Sequence, residues 1–193
     1  MKPLLSAAAL ALTASASFAE TLTLYTSQPN ADAQMTVDAF TQANPEIEVE
    51  WVRDGTTKLM ARLMAEIEAG NPQPDVLLIA DTVTLEGMAQ DGHLKAYQSP
   101  EAAAYDPALY SADGFYHSTK LITTGIVYNT GAEVQPTSWS DLADPSLKGQ
   151  VAMPSPLYSG AALIHLATLT GDKALGWDYY TDLASNEARA QGG

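Results

Sequence analysis

Cysteine is absent from this chain, which excludes disulfides, thiol catalysis and thiolate metal sites. Basic residues are scarce as well: 9 Lys and Arg stand against 23 Asp and Glu, a formal charge of -14. Nucleic acid is a poor partner for such a chain, because binding it requires cationic side chains that displace counterions. Anionic membrane surfaces are disfavoured on the same ground. The apolar run Leu4 to Leu12 falls short of the roughly 20 residues a membrane-spanning helix needs. The histidines, His93, His117 and His165, are widely spaced and form no metal-ligand pair. There is no Gly-x-Ser-x-Gly elbow, no Gly-rich nucleotide loop and no acid–base dyad of familiar spacing. A secreted enzyme is therefore a remote alternative.

What is present begins with an export signal. Lys2 supplies the positive start, Leu4 to Leu12 the apolar core and Ser17-Phe18-Ala19 a small-x-small cleavage site, so residues 1–19 are expected to be a signal peptide. No cysteine follows to carry a lipid, and the expected product is a soluble periplasmic protein. Thr21 to Tyr25 alternates and is rich in β-formers, a first strand ending in the polar turn Thr26-Ser27-Gln28. Asp32 caps an expected helix stopped by Asn44-Pro45, and Ile47 to Val52 is a second strand. Asp54-Gly55-Thr56 then turns into a helix whose apolar positions Leu59, Met60, Leu63, Met64 and Ile67 keep helical spacing up to Gly70.

Asp75 to Ala80 is a near-continuous apolar run, as in a parallel strand covered on both faces, and Asp81-Thr82 opens a third helix. This β-α order implies right-handed crossovers and a mostly parallel α/β sheet. Ligands of such sheets sit beyond the carboxyl ends of the strands, here at Thr26-Ser27-Gln28 and Ala80-Asp81-Thr82. Ser118 to Asn129 reads as a further strand. Thr137 to Leu142 begins a short helix, broken at Asp144-Pro145. A second α/β pattern follows, with a strand at Val151 to Met153, helices at Ser159 to Thr170 and Lys173 to Asn186, and a strand from Ala188 into Gly192-Gly193.

The stretch Val151 to Ala161, V-A-M-P-S-P-L-Y-S-G-A, is the most informative. Its helix opens on Ser159-Gly160-Ala161, small residues that let a ligand approach unpaired backbone N–H groups. The helix dipole adds partial positive charge there, which suits an anion. An ordinary turn capped by Ser159 explains the same residues equally well.

The mature chain resembles the periplasmic substrate-binding proteins of ABC importers. The likeness is carried by Tyr25-Thr26-Ser27-Gln28, Asp75-Val76-Leu77-Leu78, Thr124 to Asn129, Ser138 to Pro145 and Ser159-Gly160-Ala161. Within that superfamily it is similar to the branch of ferric-iron, phosphosugar and 2-aminoethylphosphonate binders, and Met153 to Ala162 is most like the last group. The resemblance implies a type II-like fold of two α/β lobes joined by hinge strands, closing around ligand. The first lobe would span 20–128, and 129–193 would be part of a second, incomplete lobe, the chain being an N-terminal portion. A permease in the inner membrane would be the partner, with the protein acting as a monomer, and no cofactor is implied.

The resemblance also assigns residues. Ser159, Gly160 and Ala161 match the segment that holds an oxyanion, and Gly192-Gly193 could add a second N–H cradle. Tyr158 would pack on the ligand or in the core. Ser27, Gln28 and Thr82 would supply polar lining, and Asp81 either pairs a ligand ammonium or caps its helix. A small phosphonate or phosphate-bearing solute of the 2-aminoethylphosphonate kind, anionic or zwitterionic, suits that set. Ferric iron is the alternative, but Pro29 and Ala80 stand where iron-binding relatives keep ligands, so no metal site is expected here. Tyr179-Tyr180 lies in an expected helix, where adjacent residues point about 100° apart and do not share an ion easily.

Overall fold

Three parallel strands form the first sheet, in the order β2-β1-β3: β1 (Glu20–Thr26), β2 (Ile47–Arg53) and β3 (Val76–Leu78). The computed structural model describes residues 20–192; the expected signal peptide, 1–19, and Gly193 lie outside the described residues. Leu24 pairs with Trp51 on one side and Val76 on the other, so β1 is central, and its Leu24, Tyr25 and Thr26 are buried. Parallel neighbours need crossovers, and helices α1 (Asn30–Ala43) and α2 (Thr56–Glu68) supply them, with α3 (Thr82–Gln90) following β3. Helix α2 buries Leu59 and Leu63, the expected face, and stops at Gly70, whose φ of 71° suits a residue without Cβ.

A separate two-stranded parallel sheet pairs β4 (Ala152–Pro154) with β5 (Arg189–Gln191), connected through α4 (Gly160–Gly171) and α5 (Gly176–Ser185). Leu169, Tyr179 and Leu183 form its core, with Trp139, Leu142, Val151 and Met153 packed against them. Among the described residues no helix is long and apolar enough to cross a membrane.

Four expectations change. The run Asp75 to Ala80 shortens to β3, which lies at the sheet edge and pairs with β1 alone, so Val76 is exposed and not covered on both faces. Residues 118–129, expected as a strand, form none, and Leu121 and Val127 are exposed. Strand-forming side chains do not make a strand without a neighbour to take the backbone bonds, and no ladder forms here among the described residues. Helix α1 opens at Asn30 behind Pro29, with Asp32 inside its first turn; proline has no side-chain acceptor, so no side-chain cap forms. Helix α5 starts at Gly176 and not at Lys173, because Asp172 Oδ1 accepts from Ala174 N at 2.7 Å and Leu175 N at 3.2 Å, holding that turn apart from the helix.

Candidate functional site

Helices α1, α2 and α3 all begin at the carboxyl edge of the first sheet, as parallel crossovers require. Thr26 fixes that edge: its Oγ1 donates to Leu78 O at 3.1 Å and accepts from Gln28 N at 3.1 Å, while Ser27 N donates to Leu78 O at 3.0 Å. A cavity of about 610 Å³ opens beside this turn, with Ser27, Gln28, Asp32 and Thr82 on one side and Lys120 and Ala161 among its other lining residues. The uncapped start of α1 lies here, leaving its first N–H groups without a side-chain acceptor. Lys120 Nζ reaches Asp32 Oδ2 at 2.8 Å. Ala161 belongs to the first turn of α4, so a second helix N-terminus reaches the same cavity.

The anticipated residues divide by position. Ser27, Gln28, Thr82 and Ala161 line the cavity. Asp81 is 2 % exposed; its Oδ1 accepts from Thr84 N at 2.7 Å and its Oδ2 from Thr84 Oγ1 at 2.6 Å. Both oxygens are thus committed to capping α3, and the carboxylate that faces the cavity is Asp32 instead. Ser159 caps α4 by accepting from Ala162 N at 3.3 Å. Gly160 is buried against α2: a methyl group on it would lie 2.9 Å from Thr56 Oγ1 and 3.1 Å from Thr56 Cβ. Its smallness therefore serves the approach of two helices as well as any ligand. Tyr158 Oη accepts from Arg53 Nη1 at 2.9 Å, and a Cβ on Gly192 would sit 4.0 Å from the Tyr158 ring. Gly193 lies outside the described residues.

The tyrosine pair is separated as the helical argument requires. Tyr179 is buried in the core, where burial and the neighbouring Tyr180 push its phenol up to about 12. Tyr180 Oη lies 3.1 Å from His165 Nδ1, and His165 packs edge-on against Trp139 with ring centroids 4.6 Å apart. Burial lowers the His165 pKa, as expected for an imidazole packed among aromatic rings. Among the described residues no three His, Asp or Glu side chains are grouped to hold a metal ion.

Sequence reasoning did not place Arg53 or Lys120 at the site, and read Asp32 only as a helix cap. Arg53 was recoverable, because it ends β2 at the same carboxyl edge that singled out Ser27, Gln28 and Thr82. Lys120 was not, since it follows an irregular segment whose path only folding sets.

Known proteins share this architecture. The model of the family "Bacterial extracellular solute-binding protein" matches residues 25–190. An uncharacterized protein of Haemophilus influenzae is 30% identical over 197 aligned positions, covering 94% of this chain and 55% of that protein. This chain thus spans about half the length of that curated relative. The fructose-6-phosphate-bound periplasmic binding protein AfuA of Actinobacillus pleuropneumoniae superposes with a TM-score of 0.71 at 22% identity, covering 90% of this chain and 58% of AfuA. Iron-bound HitA of Pseudomonas aeruginosa gives 0.67 at 26% identity, with 90% and 56% covered. The family is one of solute-binding proteins, not of enzymes, and the fold is the mixed α/β one of periplasmic binding proteins such as AfuA. With the family pattern running from the first strand to the last, this chain belongs to the bacterial extracellular solute-binding proteins.

Proposed function

We propose that the chain captures a small phosphonate or phosphate-bearing solute, of the 2-aminoethylphosphonate kind, in the periplasm and delivers it as a monomer to an ABC importer permease. The observation that carries this reading is the meeting of two helix N-termini, α1 and α4, at one cavity where Ser27, Gln28, Thr82 and Lys120 stand among apolar side chains such as Leu85 and Ile164. Backbone N–H groups there attract an anion locally, while the distant acidic surface is screened within about 10 Å. Asp32, shared with Lys120, is the carboxylate available to a ligand ammonium. Capture would close two lobes, 20–128 and 129–193, on the solute. AfuA, bound to a sugar phosphate, supports a phosphate-bearing ligand, and iron-bound HitA keeps ferric iron as the second reading.

Calorimetric titration of 2-aminoethylphosphonate, inorganic phosphate and ethanolamine into the full chain tests it. The two anions bind, ethanolamine does not, and Ala161→Leu, which fills the cavity at the α4 start, weakens the anions at least tenfold. Equal binding of ethanolamine, or an unaffected Ala161→Leu, overturns the reading. A coloured tyrosinate band on ferric titration would replace it with iron.

A further inference from the structure

Two of the few cations in this acidic chain converge on one phenol. Arg53, at the end of β2, donates through Nε to Gln28 O at 3.0 Å and through Nη1 to Tyr158 Oη at 2.9 Å. Lys58 Nζ, in the first turn of α2, lies 5.2 Å from the centre of the Tyr158 ring. Among the described residues neither cation has a carboxylate within 4.0 Å, although acidic residues outnumber basic ones 23 to 9. The nearby Asp54 turns its Oδ1 onto Gly55 N at 2.8 Å.

The same place joins two helix N-termini. Helix α2 opens behind Gly55 with no side-chain cap, and α4 opens behind Ser159. Between them Thr56, 2 % exposed, directs its Oγ1 at the first turn of α4, and that oxygen has no hydrogen-bond partner. A buried hydroxyl without a partner is costly and calls for a group to satisfy it. Paired helix termini, an unpartnered hydroxyl and two uncompensated cations share one complement, an oxyanion of more than one negative charge.

We propose that Arg53 and Lys58, with Thr56, form a charge-reading set beside the cavity, joined to it through Gln28, which lines it and whose carbonyl Arg53 holds, and that Tyr158 is a placeholder on Arg53 that a phosphonate or phosphate dianion displaces. This rests on the proposed function and names the residues that would select a dianion over a neutral solute. A guanidinium binds a charged oxygen more strongly than a neutral phenol, so exchange of Tyr158 for the ligand is favourable.

The test titrates inorganic phosphate and 2-aminoethylphosphonate into the full chain carrying Arg53→Gln, Arg53→Lys, Lys58→Gln or Tyr158→Phe. Arg53→Gln weakens both at least tenfold, Arg53→Lys recovers part of that loss, and Lys58→Gln, an exposed change, weakens both several-fold. Tyr158→Phe keeps the ring and removes the competing oxygen, so it tightens binding several-fold; a purely structural tyrosine would weaken binding or leave it alone. Circular dichroism confirms folding of each variant. If Arg53→Gln and Lys58→Gln bind as wild type while Ala161→Leu is impaired, the cation assignment fails and the proposed function stands. If wild type binds neither probe, the cation assignment and the proposed function fail together.

Discussion

Asp141 shows how far a single half-buried side chain is held by its neighbours. Its Oδ2 accepts from Thr137 N at 2.8 Å, Thr137 Oγ1 at 3.0 Å and Ser138 N at 3.0 Å, and its Oδ1 from Ser138 Oγ at 2.7 Å. The Thr137 amide first, then the Ser138 hydroxyl and the remaining donors, lower its pKa from 3.8 to about 2. A depressed acid contributes stability above its unfolded value, and that contribution is lost as pH falls through the folded one. The wild type should therefore lose stability from about pH 4 down to about pH 2 in part through this turn. Urea midpoints measured across that window should fall less steeply for Asp141→Asn; parallel slopes would refute the role. Thr137-Ser138 and Asp141 are adjacent in sequence, so this turn was readable as a helix start. Asp81 was not assignable in the same way, because capping and ligand pairing ask for the same side chain. Its burial decided between them.

At the scale of elements, β1 and the turn after it organise the cleft. Thr26 is 0 % exposed, and its hydroxyl bridges Leu78 O and Gln28 N. Valine has the same shape without the hydroxyl and would strand the Gln28 N–H. Thr26→Val should cost about 1–3 kcal/mol, the usual penalty for an unsatisfied buried donor. It should also raise amide exchange at Gln28. A loss under about 0.5 kcal/mol, the level of a neutral surface change, would show that the turn does not depend on this bridge. Sequence periodicity recovered β1, β2, α2 and α4 because each depends on local pattern and a stop signal. It failed at residues 118–129, where Leu121, Ile122 and Val127 favour a strand but are exposed. A strand is a property of a pair, and its partner is not encoded in its own residues.

For the whole molecule, β2 and the start of α2 meet the segment that leads into α4 through specific contacts. These include Arg53 on Tyr158, Thr57 Oγ1 donating to Pro156 O at 3.4 Å, and the Thr56–Gly160 approach. A solute bridging these two parts binds the native state alone and stabilises all of it. At one hundred times its dissociation constant, 2-aminoethylphosphonate should add about 2.7 kcal/mol. For a chain of this size that is a rise of roughly 5–11 °C in melting temperature. Thermal denaturation with and without ligand measures it, and an unchanged midpoint at saturation would mean that the solute does not hold the native form. The sequence by itself determined the parallel α/β class, the family likeness and the acidic, cysteine-free chemistry, because these follow from local periodicity and composition. Only the tertiary structure decided that Gly160 abuts Thr56, that Asp81 is withdrawn from the cavity and that Arg53 meets Tyr158 from 105 positions away. The Gly160–Thr56 and Arg53–Tyr158 contacts join residues whose separation along the chain carries no signal, and only the approach of the α4 start to the carboxyl edge of the first sheet brings them together, whereas Asp81 bonds a neighbour three residues on and owes to folding only its burial.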